Sequence, residues 1–222
     1  MILEAAAEGP FQKNGYVLGC ERTKEAVYID PGDEVMQLLD VVTDLGLKVK
    51  YILLTHAHVD HVSGVAEAKR KLQAPICLHR ADQSLYDNAA RQGAIFGMQV
   101  EQPPPVDRYY DGTEPLTFGD YVVAVHHTPG HAPGGVCLAV SKASDTSPPA
   151  LFVGDNLFAG SIGRTDLPGG DYDVLMQSIT EVLFAFPDEC VVYSGHGPET
   201  TIGRERRGNP FVLEYLHGRS PN

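Results

Sequence analysis

The stretch YILLTHAHVDH, residues 51–61, places three histidines and one aspartate within six residues, directly after a run of apolar side chains. A nearly unbroken apolar run is typical of a strand that is covered on both faces. Residues two apart in an extended segment share a side, so His56 and His58 can reach one point together. Asp60 and His61 come at the turn into the next helix and must point elsewhere. We therefore predict that this stretch serves two neighbouring metal positions.

Strands and helices alternate on both sides of this stretch. Apolar runs predict strands at residues 15–20, 25–32, 48–55, 74–79, 121–128, 135–140, 150–155 and 189–196, the first two as a hairpin. Amphipathic runs predict helices at residues 33–46, 63–73 and 171–186. Asp33 and Ser63 are candidate N-caps of the first two helices, and Gly46 can end the first. Residues 101–112 and 141–150 are predicted loops. This mixed order predicts an α/β chain with layered sheets.

The composition, with 43% hydrophobic and 21% charged residues, is that of an ordinary globular protein. A formal net charge of −12 argues against a protein that binds nucleic acid through its phosphates. The chain starts without the basic and apolar runs of a signal peptide and has no run long enough for a membrane span. Its four scattered cysteines are expected to be reduced and mostly buried. We therefore expect a cytoplasmic protein without a nucleic-acid or membrane partner.

The pattern of an apolar strand followed by a ligand-type residue recurs three times. His131 lies in TPGHAPGG, Asp155 in VGDN and His196 in SGHGP, each in a glycine-containing turn after a predicted strand. Ligand sites in α/β sheets gather beyond the carboxyl ends of strands, and glycine permits tight turns there. The side chains that we predict to converge are His56, His58, Asp60, His61, His131, Asp155 and His196.

The chemistry of this set narrows the ion. Imidazole and carboxylate without thiolate suit zinc, iron or manganese. Structural zinc sites are usually closed and rich in cysteine, so we expect an open site with room for water. Seven ligands are too many for one tetrahedral ion, whereas two ions that share Asp155 would use them all. The alternative of another class is a non-catalytic metal-binding module, which ligands on glycine-rich loops favour less.

Other polar residues are expected to lie outside the site. His126 and His127, at the end of a predicted strand, are taken as structural, although one of them could support a ligand. His79 could cap the helix that follows it, and neither it nor His217 is expected to be a ligand. Asp30, in YIDPG, is interpreted as a turn residue without a chemical role.

The segments THAHVDH, TPGHAPGG, GDNLF and SGHGP, in this order, resemble the signature of the metallo-β-lactamase superfamily over residues 14–211. The resemblance implies a four-layer αββα sandwich, which we expect as a single domain over residues 1–222. It implies that Asp60 and Asp155 orient a metal-bound hydroxide. It implies ligand sets of His56, His58 and His131 for one metal and of Asp60, His61 and His196 for the other, with Asp155 bridging.

Within this superfamily, GDNLFAGSIGRTDLPGGD and GHGPETTIGRERRGNPF resemble short bacterial relatives of glyoxalase II, or hydroxyacylglutathione hydrolase. The resemblance implies a thioesterase with two divalent ions, zinc first and iron or manganese as alternatives. It would cleave a small thioester such as S-lactoylglutathione by attack of the metal-bound hydroxide. The full helical C-terminal glutathione-binding domain of longer members is not expected. Arg164 stands where the family has a basic residue that helps to bind glutathione, although pairing with Asp166 is an alternative role.

Two other activities of the superfamily are weighed against this one. A persulfide dioxygenase would hold a single iron through His56, His131 and Asp155, but the segment SGHGPETTIG fits the thioesterases better. Most dizinc β-lactamases have a cysteine at the position of Asp155, so β-lactam hydrolysis is not expected. The acyl group and the oligomeric state are left open.

Overall fold

Two six-stranded sheets form the centre of the computed structural model, which describes residues 1–110 and 115–218. The first sheet contains, in spatial order, β1 (Ile2–Glu8), β2 (Lys13–Gly19), β3 (Glu25–Ile29), β4 (Lys48–Leu53), β5 (Ile76–Leu78) and β6 (Arg108–Tyr109). The second contains β7 (Leu116–Phe118), β8 (Tyr121–His127), β9 (Val136–Lys142), β10 (Ala150–Gly154), β13 (Val191–Ser194) and β14 (Thr200–Thr201), in the spatial order β14-β13-β10-β9-β8-β7. A separate two-stranded ribbon consists of β11 (Leu157–Phe158) and β12 (Ser161–Ile162).

Helices follow several of these strands. They are α1 (Val35–Asp44), α2 (Val59–Val62), α3 (Val65–Leu72), α4 (Gln83–Asp87), α5 (Ala89–Ile95), α6 (Tyr172–Gln177), α7 (Ile202–Gly208) and α8 (Pro210–Gly218). A 3₁₀ turn, Arg80–Asp82, precedes α4, while α6 continues into a π turn, Ser178–Val182, and a 3₁₀ turn, Leu183–Ala185. In the described part of the chain, no helix is both long and apolar enough to cross a membrane.

Three apolar clusters define the order of the layers. One contains side chains from both sheets, such as Leu53 and Phe152, and therefore lies between them. A second packs α1 and α3 against the other face of the first sheet. A third packs α6, α7 and α8 against the other face of the second sheet. Successive residues of β3 alternate between the first two clusters, because neighbouring side chains of a strand point to opposite faces. The predicted αββα sandwich is therefore confirmed.

The four cysteines, which the sequence predicts to be reduced and mostly buried, are all free and buried. Cys20 and Cys77 belong to the cluster between the sheets. Cys137 and Cys190 belong to the cluster beneath α6, α7 and α8. Cys77, Cys137 and Cys190 therefore act as small apolar side chains of the core, and Cys20 also donates a weak hydrogen bond from its sulfur to Asp120 at 3.7 Å.

Two predicted helix caps are wrong. Asp33 and Ser63 bind each other, with the Ser63 hydroxyl 2.8 Å from the Asp33 carboxylate, and neither side chain caps a helix. Each helix has its N-cap one residue later than predicted, at Glu34 and at Gly64. The predicted end of the first helix is confirmed, since Gly46 adopts a φ of +62° just beyond it.

No bounds were predicted for the elements β1, β7, β11, β12, β14, α2, α4, α5, α7 and α8. The sequence of β1, ILEAAAE, is rich in alanine and glutamate, which favour helix in isolation. It forms a strand because all seven residues pair antiparallel with β2.

The predicted helix 171–186 is helical but not a single α-helix. The predicted loop 101–112 contains β6, and its residues 111 and 112 lie outside the described part. So do residues 113, 114 and 219–222 of the expected single domain, which stays a prediction.

Candidate metal centre

The loops after four strands bring the predicted site residues together. Strands β8, β10 and β13 run in the same direction, so their carboxyl ends lie at one edge of the second sheet. The loop after β4, in the first sheet, meets them there. Three overlapping groups have ligand atoms that all lie within 4.8 Å of one another: His56 with His58 and His131, His56 with His61 and Asp155, and Asp60 with His61 and His196. All seven side chains predicted to converge therefore form one cluster.

The first part of the cluster is made of three buried imidazoles. Nδ1 of His58 lies 2.8 Å from Nε2 of His131. The His56 ring stands edge-to-face against both, with ring centroids 4.8 and 4.9 Å away. Nε2 of His131 also lies 3.6 Å from an oxygen of Asp155. These three nitrogen-bearing rings therefore enclose one position beside the aspartate.

The second part lies on the other side of Asp155. Nε2 of His196 is 3.2 Å from Oδ2 of Asp60 and 3.3 Å from Oδ2 of Asp155. Nε2 of His61 is 3.3 Å from Oδ1 of Asp155 and 3.8 Å from Oδ2 of Asp60. Asp155 thus contacts both parts of the cluster, as a shared ligand would.

Three buried ligand atoms in the cluster have no hydrogen-bond partner. They are Nε2 of His56, Nε2 of His61 and Oδ1 of Asp155. A buried polar atom without a partner costs about 1–3 kcal/mol, and such atoms are rare in native proteins. All three belong to the predicted ligand set. This donor set of imidazole and carboxylate fits a divalent ion such as zinc, iron or manganese.

The outward-facing ring nitrogens fix the orientation of the imidazoles. Four of the imidazoles contact an oxygen atom through Nδ1. Nδ1 of His56 lies 3.2 Å from Oγ1 of Thr55, and Nδ1 of His61 lies 2.9 Å from Oδ2 of Asp30. Nδ1 of His131 lies 2.7 Å from the Arg164 carbonyl, and Nδ1 of His196 lies 3.0 Å from the Phe11 carbonyl. With Nδ1 engaged in this way, Nε2 is directed into the cluster and is the nitrogen that would bind an ion in its unprotonated form. His58 is the exception, since its Nδ1 faces His131.

Asp30, interpreted from the sequence as a turn residue without a chemical role, does lie in a turn, but it also contacts a predicted ligand. Its buried carboxylate accepts hydrogen bonds from Nδ1 of His61 and from the backbone amide and hydroxyl of Thr55, at 2.9, 2.7 and 2.5 Å. Thr55 in turn contacts His56. Asp30 follows β3, which runs parallel to β4, so the rule that located the other side chains also applies to it.

A buried ion pair supports the turn that carries Asp30. Lys13 donates to the Asp30 carbonyl and lies 3.1 Å from the Glu34 carboxylate. Glu34 also accepts hydrogen bonds from the Tyr28 hydroxyl at 3.2 Å and from the Gly32 amide at 3.0 Å. A buried charge pair is costly unless further hydrogen bonds support it, and here they support Oε1 of Glu34, whereas Oε2 has only the 3.1 Å ion pair with Lys13. The pair therefore fixes the backbone beneath His61.

Asp82, a residue that the sequence analysis missed, joins two of the loops that carry histidines. Its buried carboxylate accepts the backbone amides of Ala57, at 2.9 Å, and of Gly134, at 2.5 Å. Burial raises the pKa of this carboxyl, and the two amide bonds oppose that shift. Ala57 lies between His56 and His58. Asp82 therefore ties their loop to the loop of His131.

The remaining described histidines lie outside the cluster. His79 accepts the Ala81 amide at 3.3 Å, so it caps the short 3₁₀ turn, as predicted for the helix after it. His127 stacks on His79 with ring centroids 4.0 Å apart, and its Nε2 contacts the Pro133 carbonyl at 2.9 Å. His126 packs edge-to-face against Phe186. Both residues of the HisHis pair are thus structural.

Burial and charge divide the histidines of the cluster into two kinds. Burial lowers the pKa of His58 to about 3 and also lowers the pKa values of His56 and His131. Burial also disfavours charge on the others, but neighbouring carboxylates outweigh it and raise the pKa of His61 to about 10 and that of His196 to about 9. Neutral imidazole is the form that binds metal ions. A cation in the second part would therefore displace two protons.

Glycines let the backbone approach the cluster closely. A Cβ atom on Gly195 would collide with the Asp155 carboxylate and with the His61 ring. A Cβ atom on Gly163 would collide with the Asp155 carbonyl and crowd His131. Both glycines lie in segments that were quoted for the resemblance. Their small size therefore has a packing reason at this site.

The segment GRERRGNPF supports the ribbon that follows Asp155. The buried Glu205 carboxylate accepts hydrogen bonds from the Gly160 backbone amide at 2.8 Å and the Thr200 hydroxyl at 2.5 Å. It also accepts one from the side-chain amide of Asn209 at 2.9 Å. Asn209 also donates to the Ser161 carbonyl at 2.9 Å. Glu205 and Asn209 therefore hold β11 and β12 in place and do not contact the cluster.

A cavity of about 350 Å³ borders the cluster. Its lining contains ligand-type side chains, among them Asp60, Asp155 and His196, and a larger number of apolar ones. Arg164 also lines it, and its guanidinium makes two 2.7 Å hydrogen bonds to the exposed Asp166 carboxylate. The pairing considered from the sequence is therefore present. A role for Arg164 in substrate binding stays a prediction.

Comparison with known proteins agrees with this geometry. A model of the metallo-β-lactamase superfamily matches residues 9–196. The probable metallo-hydrolase YqgX of Bacillus subtilis is 36% identical over 206 residues, covering 92% of this chain and 94% of its own. The hydroxyacylglutathione hydrolase GloC of Haemophilus influenzae is 34% identical over 214 residues, covering 96% and 98% of the two chains.

Two solved structures are similar over nearly the whole chain. The BLEG-1 B3 metallo-β-lactamase is 37% identical, with a TM-score of 0.85, and covers 95% of this chain and 99% of its own. The protein TTHA1623, solved in a di-iron-bound form, is 40% identical, with a TM-score of 0.81, and covers 94% and 99%. The chain belongs to the metallo-β-lactamase superfamily, a superfamily of metallo-hydrolases, as its fold, its ligand-type cluster and these matches show.

Proposed function

We propose that the cluster binds two divalent metal ions. The ligand sets are His56, His58 and His131 for one ion and Asp60, His61 and His196 for the other, with Asp155 shared. Three of these side chains carry a buried ligand atom without a partner, which a bound ion would satisfy. Bound ions of this kind activate water and polarise a carbonyl. Zinc is our first choice, and iron is the main alternative because TTHA1623 was solved with two irons.

We further propose that the protein is a thioesterase of the glyoxalase II type, acting on S-2-hydroxyacylglutathione such as S-lactoylglutathione. The name and the 34% identity of the Haemophilus influenzae relative support this choice. A thiol has a pKa of about 8.5, so it leaves without much help from a general acid. Without a bound ion, and although burial favours protonation, the charged His61 lowers the pKa values of Asp60 and Asp155. With ions bound, the positive charge of the metal would take over this role, so both carboxylates stay ionised and can orient the attacking water.

The observation that carries the proposal is the set of unpartnered ligand atoms beside an accessible cavity. The test measures metal content and thiol release from S-lactoylglutathione with the same purified protein. We expect about two metal ions per chain and rapid thiol release. His61→Ala should abolish the release, whereas His126→Ala, which alters a histidine outside the cluster, should retain it.

Other outcomes would assign other functions. Oxygen uptake with glutathione persulfide, one iron per chain and no thiol release would identify a dioxygenase in place of the thioesterase. Metal binding without either reaction, and without hydrolysis of a β-lactam, would identify a non-catalytic metal-binding module.

A β-lactam is the second substrate class to test, because BLEG-1 bears the name of a β-lactamase. That name stands against the sequence-based expectation drawn from Asp155. The measurement is hydrolysis of a chromogenic cephalosporin beside the thioester assay. We expect the value of kcat/KM to be higher for the thioester, and the reverse order would replace our proposal.

A further inference from the structure

Part of the cavity is an apolar surface without metal-ligand atoms. We call it the apolar wall and define it as Phe11, Leu85, Ile95 and Phe96, all of which line the cavity. The rings of Phe11 and Phe96 meet edge-to-face with centroids 5.4 Å apart. Ile95 is 75% exposed and Phe96 is 48% exposed, which is unusual for large apolar side chains. Exposed apolar surface beside a polar site is typical of a ligand-binding surface.

The apolar wall is attached to the elements that carry the metal-ligand residues. The backbone carbonyl of Phe11 accepts a hydrogen bond from Nδ1 of His196. Gln92, in α5, donates to the carbonyl of Ala57 at 3.1 Å and to that of Leu85 at 2.7 Å. The bond from His196 connects the wall to one ligand. The bonds from Gln92 connect α5 to Leu85 and to Ala57, which lies between His56 and His58. The wall therefore lies at a fixed position relative to the cluster.

Charge is distributed unevenly around the cavity. Among the described residues of its lining, Arg164 is the only lysine or arginine, and it belongs to the loop after β12. Gln92, a polar lining residue in the same helix as Ile95, already donates its side-chain amide to the carbonyls of Ala57 and Leu85. A charged thiol carrier such as glutathione has no partner on the apolar wall, whereas a hydrocarbon group gains free energy by covering it.

We propose that the apolar wall binds the acyl group of the substrate and selects thioesters with a hydrocarbon or aromatic acyl chain larger than lactoyl. This proposal rests on the proposed thioesterase function and specifies its substrate class. Burial of one methylene against an apolar surface changes affinity about fourfold. The preference should therefore rise with chain length until the wall is covered.

A binding experiment tests the wall without requiring catalysis. The ligands are S-methyl-, S-butyl- and S-hexylglutathione, thioethers in which the alkyl group takes the place of the acyl group. We expect the Kd, measured by calorimetry with the metal-loaded protein, to fall about fourfold for each methylene that contacts the wall. Equal Kd values for the methyl and hexyl compounds would overturn the proposal.

Variants then assign the preference to the wall. Ile95→Ser and Phe96→Ser alter exposed side chains, so the fold should tolerate them. We expect each to reduce the ratio of methyl to hexyl Kd by about tenfold, the scale of one buried large apolar side chain. The matched control is Met36→Ser, which alters a methionine that is 52% exposed in α1 and does not line the cavity. An equal reduction in the control would overturn the assignment.

Hydrolysis separates this proposal from the function on which it rests. A chain-length preference in binding with no hydrolysis of any thioester would support the wall and contradict the thioesterase. Hydrolysis that is equally fast for acetyl-, butanoyl- and hexanoylglutathione would contradict the wall alone. The chain can also be lengthened on the thiol side, in lactoyl thioesters of alkyl thiols. If the rate of hydrolysis rises with the length of the thiol and not with that of the acyl chain, the assignment to the acyl group is overturned.

Discussion

Asp30 links two of the proposed ligands at the scale of single residues. Its carboxylate accepts a hydrogen bond from His61 and, through the Thr55 hydroxyl, supports His56. Its φ of +50° lies in the left-handed region, which aspartate and asparagine tolerate better than most residues. A carboxylate behind an imidazole fixes the ring and raises its basicity toward a metal ion.

We expect Asp30→Asn to weaken metal binding by about 10- to 100-fold, the usual effect of altering the residue behind a ligand. Asparagine keeps the shape and suits the backbone but removes the negative charge behind His61. Competition with a fluorescent chelator measures the affinity. Asp33→Asn is the matched control, since Asp33 contacts Ser63 and not a ligand. An unchanged affinity in Asp30→Asn would show that the carboxylate does not support metal binding.

Arg164 is expected to read the charge of the substrate at the rim of the cavity. Its pair with Asp166 is exposed, and exposed ion pairs are weak, so a substrate carboxylate can take the place of Asp166. We expect Arg164→Ala to raise the KM for S-lactoylglutathione severalfold with metal content unchanged. The KM for a neutral thioester of similar size should stay the same.

The matched variant for this experiment is Asp166→Ala. It frees the Arg164 guanidinium, so we expect it to lower the KM for the anionic substrate. If Arg164→Ala affects charged and neutral thioesters equally, the arginine supports its loop and does not read the substrate.

At the scale of elements, the site depends on how loops from different strands are joined. Asp82 accepts one amide from the loop after β4 and another from the loop between β8 and β9. The amide of Val136, at the start of β9, also donates to the Thr55 carbonyl at 2.9 Å. These bonds hold the backbone of the two loops, so the positions of His56, His58 and His131 are set by links between sheets.

We expect Asp82→Ala to lower the free energy of unfolding, because it leaves two buried amides without partners at about 1–3 kcal/mol each. Metal affinity should fall with it, since the loops lose their common anchor. Urea denaturation measures the first effect and chelator competition the second. Asp145→Ala, which removes an exposed turn residue that accepts the Ser147 amide, is the control and should change neither. Full stability in Asp82→Ala would contradict the anchor role.

At the scale of the whole molecule, the proposed ligands come from both sheets. His56, His58, Asp60 and His61 follow β4 of the first sheet, and the others follow strands of the second. Bound ions would therefore connect the two halves of the sandwich. They would also satisfy the buried atoms that now lack partners. Metal binding and global stability should consequently be coupled.

Chelation of the metal should lower the melting temperature, and re-addition should restore it. At a free metal concentration of about 100 times the Kd, each bound ion stabilises the fold by about 2.7 kcal/mol, or about 5–10 °C in Tm for a chain of this size. Differential scanning calorimetry measures the shift. His61→Ala should show a smaller shift, whereas His126→Ala should show the full one. The absence of any shift in the unaltered protein would contradict metal binding by the cluster.

Much of the arrangement could be predicted from the sequence, because it depends on local patterns. Apolar runs identify β4, β10 and β13, and a ligand-type residue comes within three residues of the end of each strand. The spacing of His56 and His58 places both on one side of an extended segment. The carboxyl ends of parallel strands meet at one edge of a sheet, so the approach of Asp155 to His196 follows from the order of elements.

The tertiary structure alone decided the rest, because it depends on contacts between residues that are distant in the chain. No period or spacing indicates that the buried pair of Lys13 and Glu34 lies beneath Asp30, 17 residues from the lysine. The ILEAAAE segment favours helix locally and becomes β1 only because β2 offers it a pairing edge. The apolar wall likewise combines Phe11 with Phe96, whose proximity comes from packing, so its surface exists only in the folded chain.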